Sequence, residues 1–108
     1  MIKPSTVKFI SKELEKDFES LPEQDIIKKS IKRAIEDLKQ NAFIGIRIPK
    51  RLFPKEYIQK YYITNLWKYD LPNGWRLMYT ITPENEIQLI SAILEWFDHK
   101  NYERKFNY

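Results

Sequence analysis

The chain has 108 residues, read here as one domain over residues 1–108, and its 43% hydrophobic and 31% charged content is ordinary globular usage. It contains no cysteine, which excludes a disulfide frame, a thiolate metal site and a thiol nucleophile. The longest apolar run, residues 42–46, falls far short of the roughly 20 residues a membrane helix needs, and the N-terminus has no signal-peptide apolar stretch, so a cytoplasmic protein without membrane contact is expected.

The net charge of +4 is unevenly spread. Basic and acidic residues number nine and eight over residues 1–40, seven and two over 41–80, and three and five over 81–108. The basic middle third is also rich in rings, among them Tyr57, Tyr61, Tyr62, Trp67 and Trp75, and nucleic-acid surfaces use that mixture for phosphates and stacked bases. The plainer reading places most of these rings in the core.

Taken in chain order, Val7, Ile10, Leu14, Phe18 and Leu21 recur at helical spacing and predict an amphipathic helix over about residues 5–20, with a short strand over residues 7–10 as the competing reading. Ser20-Leu-Pro-Glu23 has the form of a capping box and predicts the start of a second helix. Ile27, Ile31, Ala34, Ile35 and Leu38 supply its buried stripe, and the short connection makes the pair a helical hairpin. Periodicity fails over residues 41–63, where Gly45, Pro49 and Pro54 punctuate a basic connection with a short helical turn near Tyr57.

Period-two patterning then predicts three strands, over residues 65–71, 75–81 and 87–97, joined as an antiparallel meander. Pro72-Asn73-Gly74 suits a three-residue loop of type I with Gly74 left-handed in a bulge. That loop sets Asp70 opposite Arg76, Tyr69 opposite Leu77, Lys68 opposite Met78 and Trp67 opposite Tyr79. One face is then apolar and covered by the helices, while Lys68, Asp70, Arg76 and Met78 mark an open, polar, concave face. A polar tail from Asp98 forms a short helix or an extended segment. The fold class is α+β, an N-terminal helical hairpin packed on a small antiparallel sheet.

Few residues can carry chemistry. Arg76 is a lone arginine in a hydrophobic strand: either a cross-strand partner of Asp70, or a guanidinium on a rigid element able to neutralise charge on a phosphate. His99 is the only histidine, and imidazole is the side chain whose ordinary pKa allows both protonation states near neutrality. In a helical tail Tyr102 would share its face, with Lys100 and Arg104 nearby, although a lightly packed polar terminus explains the same residues. One histidine and scattered carboxylates do not reach a familiar metal-ligand set, and there is no phosphate loop, dinucleotide fingerprint or serine elbow, so no metal or other cofactor is expected.

Residues 65–79, Asn65-Leu-Trp-Lys-Tyr-Asp-Leu-Pro-Asn-Gly-Trp-Arg-Leu-Met-Tyr79, and the closing Asp98-His-Lys-Asn-Tyr102 together resemble the RelE/ParE toxin superfamily, particularly its RelE, YoeB and HigB ribonuclease branch. The resemblance implies a RelE-like fold and a type II toxin-antitoxin toxin that cleaves mRNA in the ribosome and is restrained by a small cognate antitoxin. It implies that Arg76 contacts the scissile phosphate and that His99 and Tyr102 serve in acid–base work or stacking. Lys50, Arg51, Lys55 and Lys68, with Lys100 and Arg104, would hold RNA phosphates, and Glu56 is a further candidate base. The alternative is a non-catalytic binder on the same fold, directed at a topoisomerase, RNA or an antitoxin.

Overall fold

A computed structural model describes residues 2–106. Among these residues the helices are α1 (Lys12–Ser20), α2 (Ile26–Gln40), α3 (Lys55–Tyr61) and α4 (His99–Phe106), and the strands are β1 (Ser5–Phe9), β2 (Ile46–Arg47), β3 (Trp67–Asp70), β4 (Arg76–Pro83) and β5 (Leu89–Phe97). The strands form one sheet in the order β1-β5-β4-β3-β2. The α+β class is as expected. The sheet is mixed rather than wholly antiparallel, because β1 runs parallel to β5, with Ser5 opposite Leu89 and Phe9 opposite Ile93.

That pairing divides the helix predicted over residues 5–20. The competing strand prevails at its start because Thr6, Val7 and Phe9 are branched or aromatic and alternate in burial on an extended backbone. The helix begins only after Ser11, whose side chain accepts the Leu14 N–H. The second helix also starts later than predicted. Ser20 ends α1, and the N-cap of α2 is Asp25, whose carboxylate accepts the Ile27 N–H at 2.8 Å. Glu23, the reciprocal member of the expected capping box, instead pairs with Lys28 and Lys32. The predicted stripe holds: Ile27, Ile31, Ala34 and Leu38 are buried, and Ile35 packs against them.

The hairpin register is the predicted one, from Trp67 opposite Tyr79 to Asp70 opposite Arg76. Its turn differs in detail, since Asn73 (φ 60°, ψ 31°) is left-handed as well as Gly74 (φ 79°), so the central position is not of type I. Within the connection read as loop, Ile46 and Arg47 form an edge strand on β3, too short to leave a periodic signal. The tail is helical over His99–Phe106, and its last two positions lie outside the described residues.

The open polar face is the main correction. Leu77, Tyr79, Ile93 and Leu71 pack under α2 as expected. On the other side, Ile48, Phe53, Tyr57, Leu66, Tyr102 and Phe106 form a second buried cluster with Met78, Leu94 and Phe97, so the sheet is covered on both faces. The apolar residues responsible sit in stretches whose polar neighbours hid them. A β-bulge shapes this second layer: β4 and β5 pair Met78 with Glu95 but Tyr79 with Ile93, leaving Leu94 as the extra residue. Glu95 is thereby turned to the same side as Leu94, where it meets α3.

Candidate functional site

Arg76 opens β4 immediately beyond the turn. Its Nη1 donates to the carbonyl of Gly74 at 2.5 Å and lies 3.3 Å from that of Trp75, which holds the guanidinium back against the turn. Asp70, its partner across the hairpin, sets Oδ1 at 3.1 Å from Arg76 Nε and 3.7 Å from Lys68 Nζ. The Nε–H nevertheless makes no hydrogen bond among the described residues, so the close approach to Asp70 is a charge contact with poor angular fit.

Gly74 brings the end of the chain to the same place. A side-chain carbon built on Gly74 would lie 3.1 Å from His99 Cβ and 4.0 Å from Arg76 Nη1, so His99 and Arg76 flank one point and are no further apart than those two distances combined. Asp98 makes this possible: its carboxylate accepts the Asn101 N–H at 2.9 Å and starts α4 directly after β5. His99 is exposed, and its Nε2 contacts Glu103 one helical turn on. Tyr102, by contrast, is buried at 3% exposure. Its ring lies beneath the cations, with Arg76 Cζ 5.1 Å and Lys68 Nζ 5.4 Å from the centroid. A base cannot stack on it, which corrects that part of the role expected for Tyr102.

The remaining basic residues divide. Lys50, Arg51, Lys55, Lys100 and Arg104 are all exposed. Arg51, Lys55 and Arg104 line a cleft of about 1010 Å³ between residues 51–56, the end of β5 and α4, and neither Arg76 nor His99 borders it. Glu56 lines the same cleft and is paired with Lys105, which also lies 3.4 Å from Glu95. Tyr57 donates its hydroxyl to Glu95, and Lys105 sits over the Tyr57 ring. Burial, then the Glu95 carboxylate, pushes the Tyr57 hydroxyl far above its ordinary range. Burial works against the charge on Lys105, but Glu56 and Glu95 outweigh it and raise its pKa. This network was invisible in the sequence because the bulge that turns Glu95 inward breaks the two-residue alternation on which strand reading depends. Among the described residues no group of three or more histidines, cysteines or carboxylates stands where it could hold a metal ion. Among the described residues no helix is long and apolar enough to cross a membrane.

A family model described as the ParE toxin of the type II toxin-antitoxin system parDE matches residues 9–95. The chain belongs to the ParE toxin family. This ParE-family chain is therefore a toxin of a type II toxin-antitoxin system, and membership implies a cognate antitoxin as partner. The match runs from the last residue of β1 into β5 and stops before α4, so it includes Arg76 and leaves out His99 and Tyr102. No curated protein and no solved structure matches the ParE-family chain.

Proposed function

We propose that this toxin acts on RNA as a metal-independent endoribonuclease of the kind found in the RelE, YoeB and HigB branch, cutting mRNA on the ribosome. The observation that carries the reading is the meeting of Arg76 and His99 at Gly74. In the reaction a base takes the proton of a ribose 2′-hydroxyl, that oxygen bonds to the adjacent phosphorus, and the bond to the 5′-oxygen breaks as that oxygen takes up a proton. The products are a cyclic phosphate end and a free 5′-hydroxyl. Arg76, on a strand and braced by the turn carbonyls, suits the stabilisation of charge on the phosphoryl oxygens. His99, exposed beside it and held by Glu103, suits proton transfer. Tyr102 serves beneath them as a support. Lys68 reaches the same cluster, while Lys50, Arg51, Lys55, Lys100 and Arg104 offer exposed cations to the RNA backbone.

The test is to incubate the purified toxin with mRNA, with and without ribosomes, and to map the ends formed. The expected result is ribosome-dependent cleavage leaving cyclic phosphate ends, reduced about 10²-fold or more in Arg76→Ala with the fold retained. Growth arrest on expression should vanish in the same variant. Equal toxicity of variant and parent would reject the assignment. The ParE family match favours a second reading, a non-catalytic inhibitor directed at a topoisomerase. Inhibition of supercoiling by DNA gyrase without any mRNA cleavage would select it.

A further inference from the structure

Two cations share one buried ring. Lys68 on β3 and Arg76 on β4 both stand over Tyr102, at 5.4 and 5.1 Å from its centroid, and both contact the single carboxylate of Asp70. The cations are mostly sheltered, with side chains 19% and 17% exposed, whereas Asp70 is 51% exposed. Two positive charges held this close repel each other unless something compensates. Here the face of an aromatic ring, negative by its quadrupole, compensates from below and Asp70 from the side. The carboxylate is an imperfect partner, because the Arg76 Nε–H beside it makes no hydrogen bond among the described residues. The solvent-facing position of Asp70 is where an incoming oxyanion would arrive.

We infer that Lys68 and Arg76 form one phosphodiester seat whose floor is the Tyr102 ring and whose resting counter-ion is Asp70, displaced when an RNA phosphate docks. Tyr102 is in this scheme a positioning residue that acts through its ring. The inference rests on the RNA-directed reading for the identity of the ligand, and concerns binding rather than cleavage. Asp70 sets a threshold: a phosphate must compete with a tethered carboxylate, so weak or singly contacted anions are refused.

The experiment measures binding of a short labelled single-stranded RNA to the full chain without ribosomes, over a series of salt concentrations. Tyr102→Phe keeps the ring and is expected to bind within about 2-fold of the parent, whereas Tyr102→Leu removes it and weakens binding about 5-fold or more. Lys68→Met is expected to lower the slope of log affinity against log salt by about one unit, the mark of one lost phosphate contact. Asp70→Asn is expected to tighten binding, since the competing charge is gone. Equal losses in Tyr102→Phe and Tyr102→Leu would overturn the ring's role, and unchanged or weaker binding by Asp70→Asn would overturn the counter-ion. Should Tyr102→Leu fail to fold, Tyr102→Phe, Lys68→Met and the exposed-site variant Asp70→Asn decide the matter. A parent that binds RNA through this seat yet never cleaves it would sink the nuclease reading and leave the seat standing; a parent that binds no RNA at low salt would sink the seat.

Discussion

Gly45 and Gly74 are the chain's two glycines, and each stands where a side chain would meet atoms already present. At Gly45 a methyl would come within 2.5 Å of the Lys68 carbonyl oxygen and 2.6 Å of the Tyr79 hydroxyl. The same hydroxyl accepts the Gly45 N–H and donates to the Ala42 carbonyl, so the obstacle is fixed in place. At Gly74 the obstruction is milder, 3.1 Å from His99 Cβ, and is joined by the cost of a left-handed backbone. We expect Gly45→Ala to lower stability by about 2–3 kcal/mol through overpacking against backbone, and Gly74→Ala by about 1–2 kcal/mol. Urea unfolding of the two variants measures both, and a Gly74→Ala loss larger than that of Gly45→Ala would contradict the account. Gly74→Ala should in addition push α4 away from the turn, so on the proposed nuclease reading its loss of activity should exceed what its stability loss explains.

Among the elements, the join between α1 and α2 depends on one buried lysine. The last turn of α1 contains no basic residue of its own. Lys28, from α2 and only 4% exposed, reaches back to donate to the carbonyls of Glu19 and Leu21 and to the Glu23 carboxylate, with its ammonium 5.6 Å from the Phe18 centroid. It supplies the positive charge that favours a helix C-terminus and closes carbonyls the helix leaves open. Lys28→Met keeps the aliphatic stem and loses the donors. The expected cost is about 1–3 kcal/mol, read from thermal or urea unfolding, because Glu23 remains solvated and no buried charge is stranded. A neutral substitution would show that packing alone holds the hairpin.

The elements also show what could be read in advance. The α2 stripe and the β3–β4 register were legible because both follow from fixed side-chain periods and from a turn with Pro, Asn and Gly in sequence. β1 was ambiguous because Val7 fits a helical stripe with Ile10 and an alternating one with Phe9, and only its parallel partner decides. The second layer was missed because Phe53 and Tyr57, and Tyr102 and Phe106, are single pairs four residues apart among charges, too short a pattern to mark a buried face. At the site, Arg76 and His99 could be named as chemical types, but their meeting at Gly74 could not, since it depends on where α4 leaves β5. Asp70 was legible as the cross-strand partner of Arg76. That Tyr102 lies under both cations follows only from the layer that buries it.

At the scale of the whole molecule, two tyrosines tie the helical layer to the sheet. Tyr69 donates to Asp37 on α2 at 2.5 Å, and Tyr79 bonds to Ala42 and Gly45 just beyond that helix. Burial, and for Tyr69 also the Asp37 hydrogen bond, pushes both hydroxyls up to about 12 from an ordinary value of 10.0. The folded state therefore holds these protons more tightly than the unfolded chain. Their contribution to stability is complete below pH 10 and is lost as pH rises through about 12. Urea midpoints should accordingly fall between those values, and part of the tyrosinate absorbance should appear only as the fold is lost. Tyrosines that all titrate together near 10 with the fold intact would contradict this.

The parallel pairing of β1 with β5 joins Ser5 to Ser91, 86 positions away along the chain, through their hydroxyls. A helical hairpin can assemble as soon as it leaves the ribosome, but this edge of the sheet must wait until synthesis has passed β5. Nascent fragments thus lack the strand beside β1 and also the helix that brings His99 to Arg76. Completion of this edge and the approach of His99 to the Arg76 turn thus both follow the synthesis of β5.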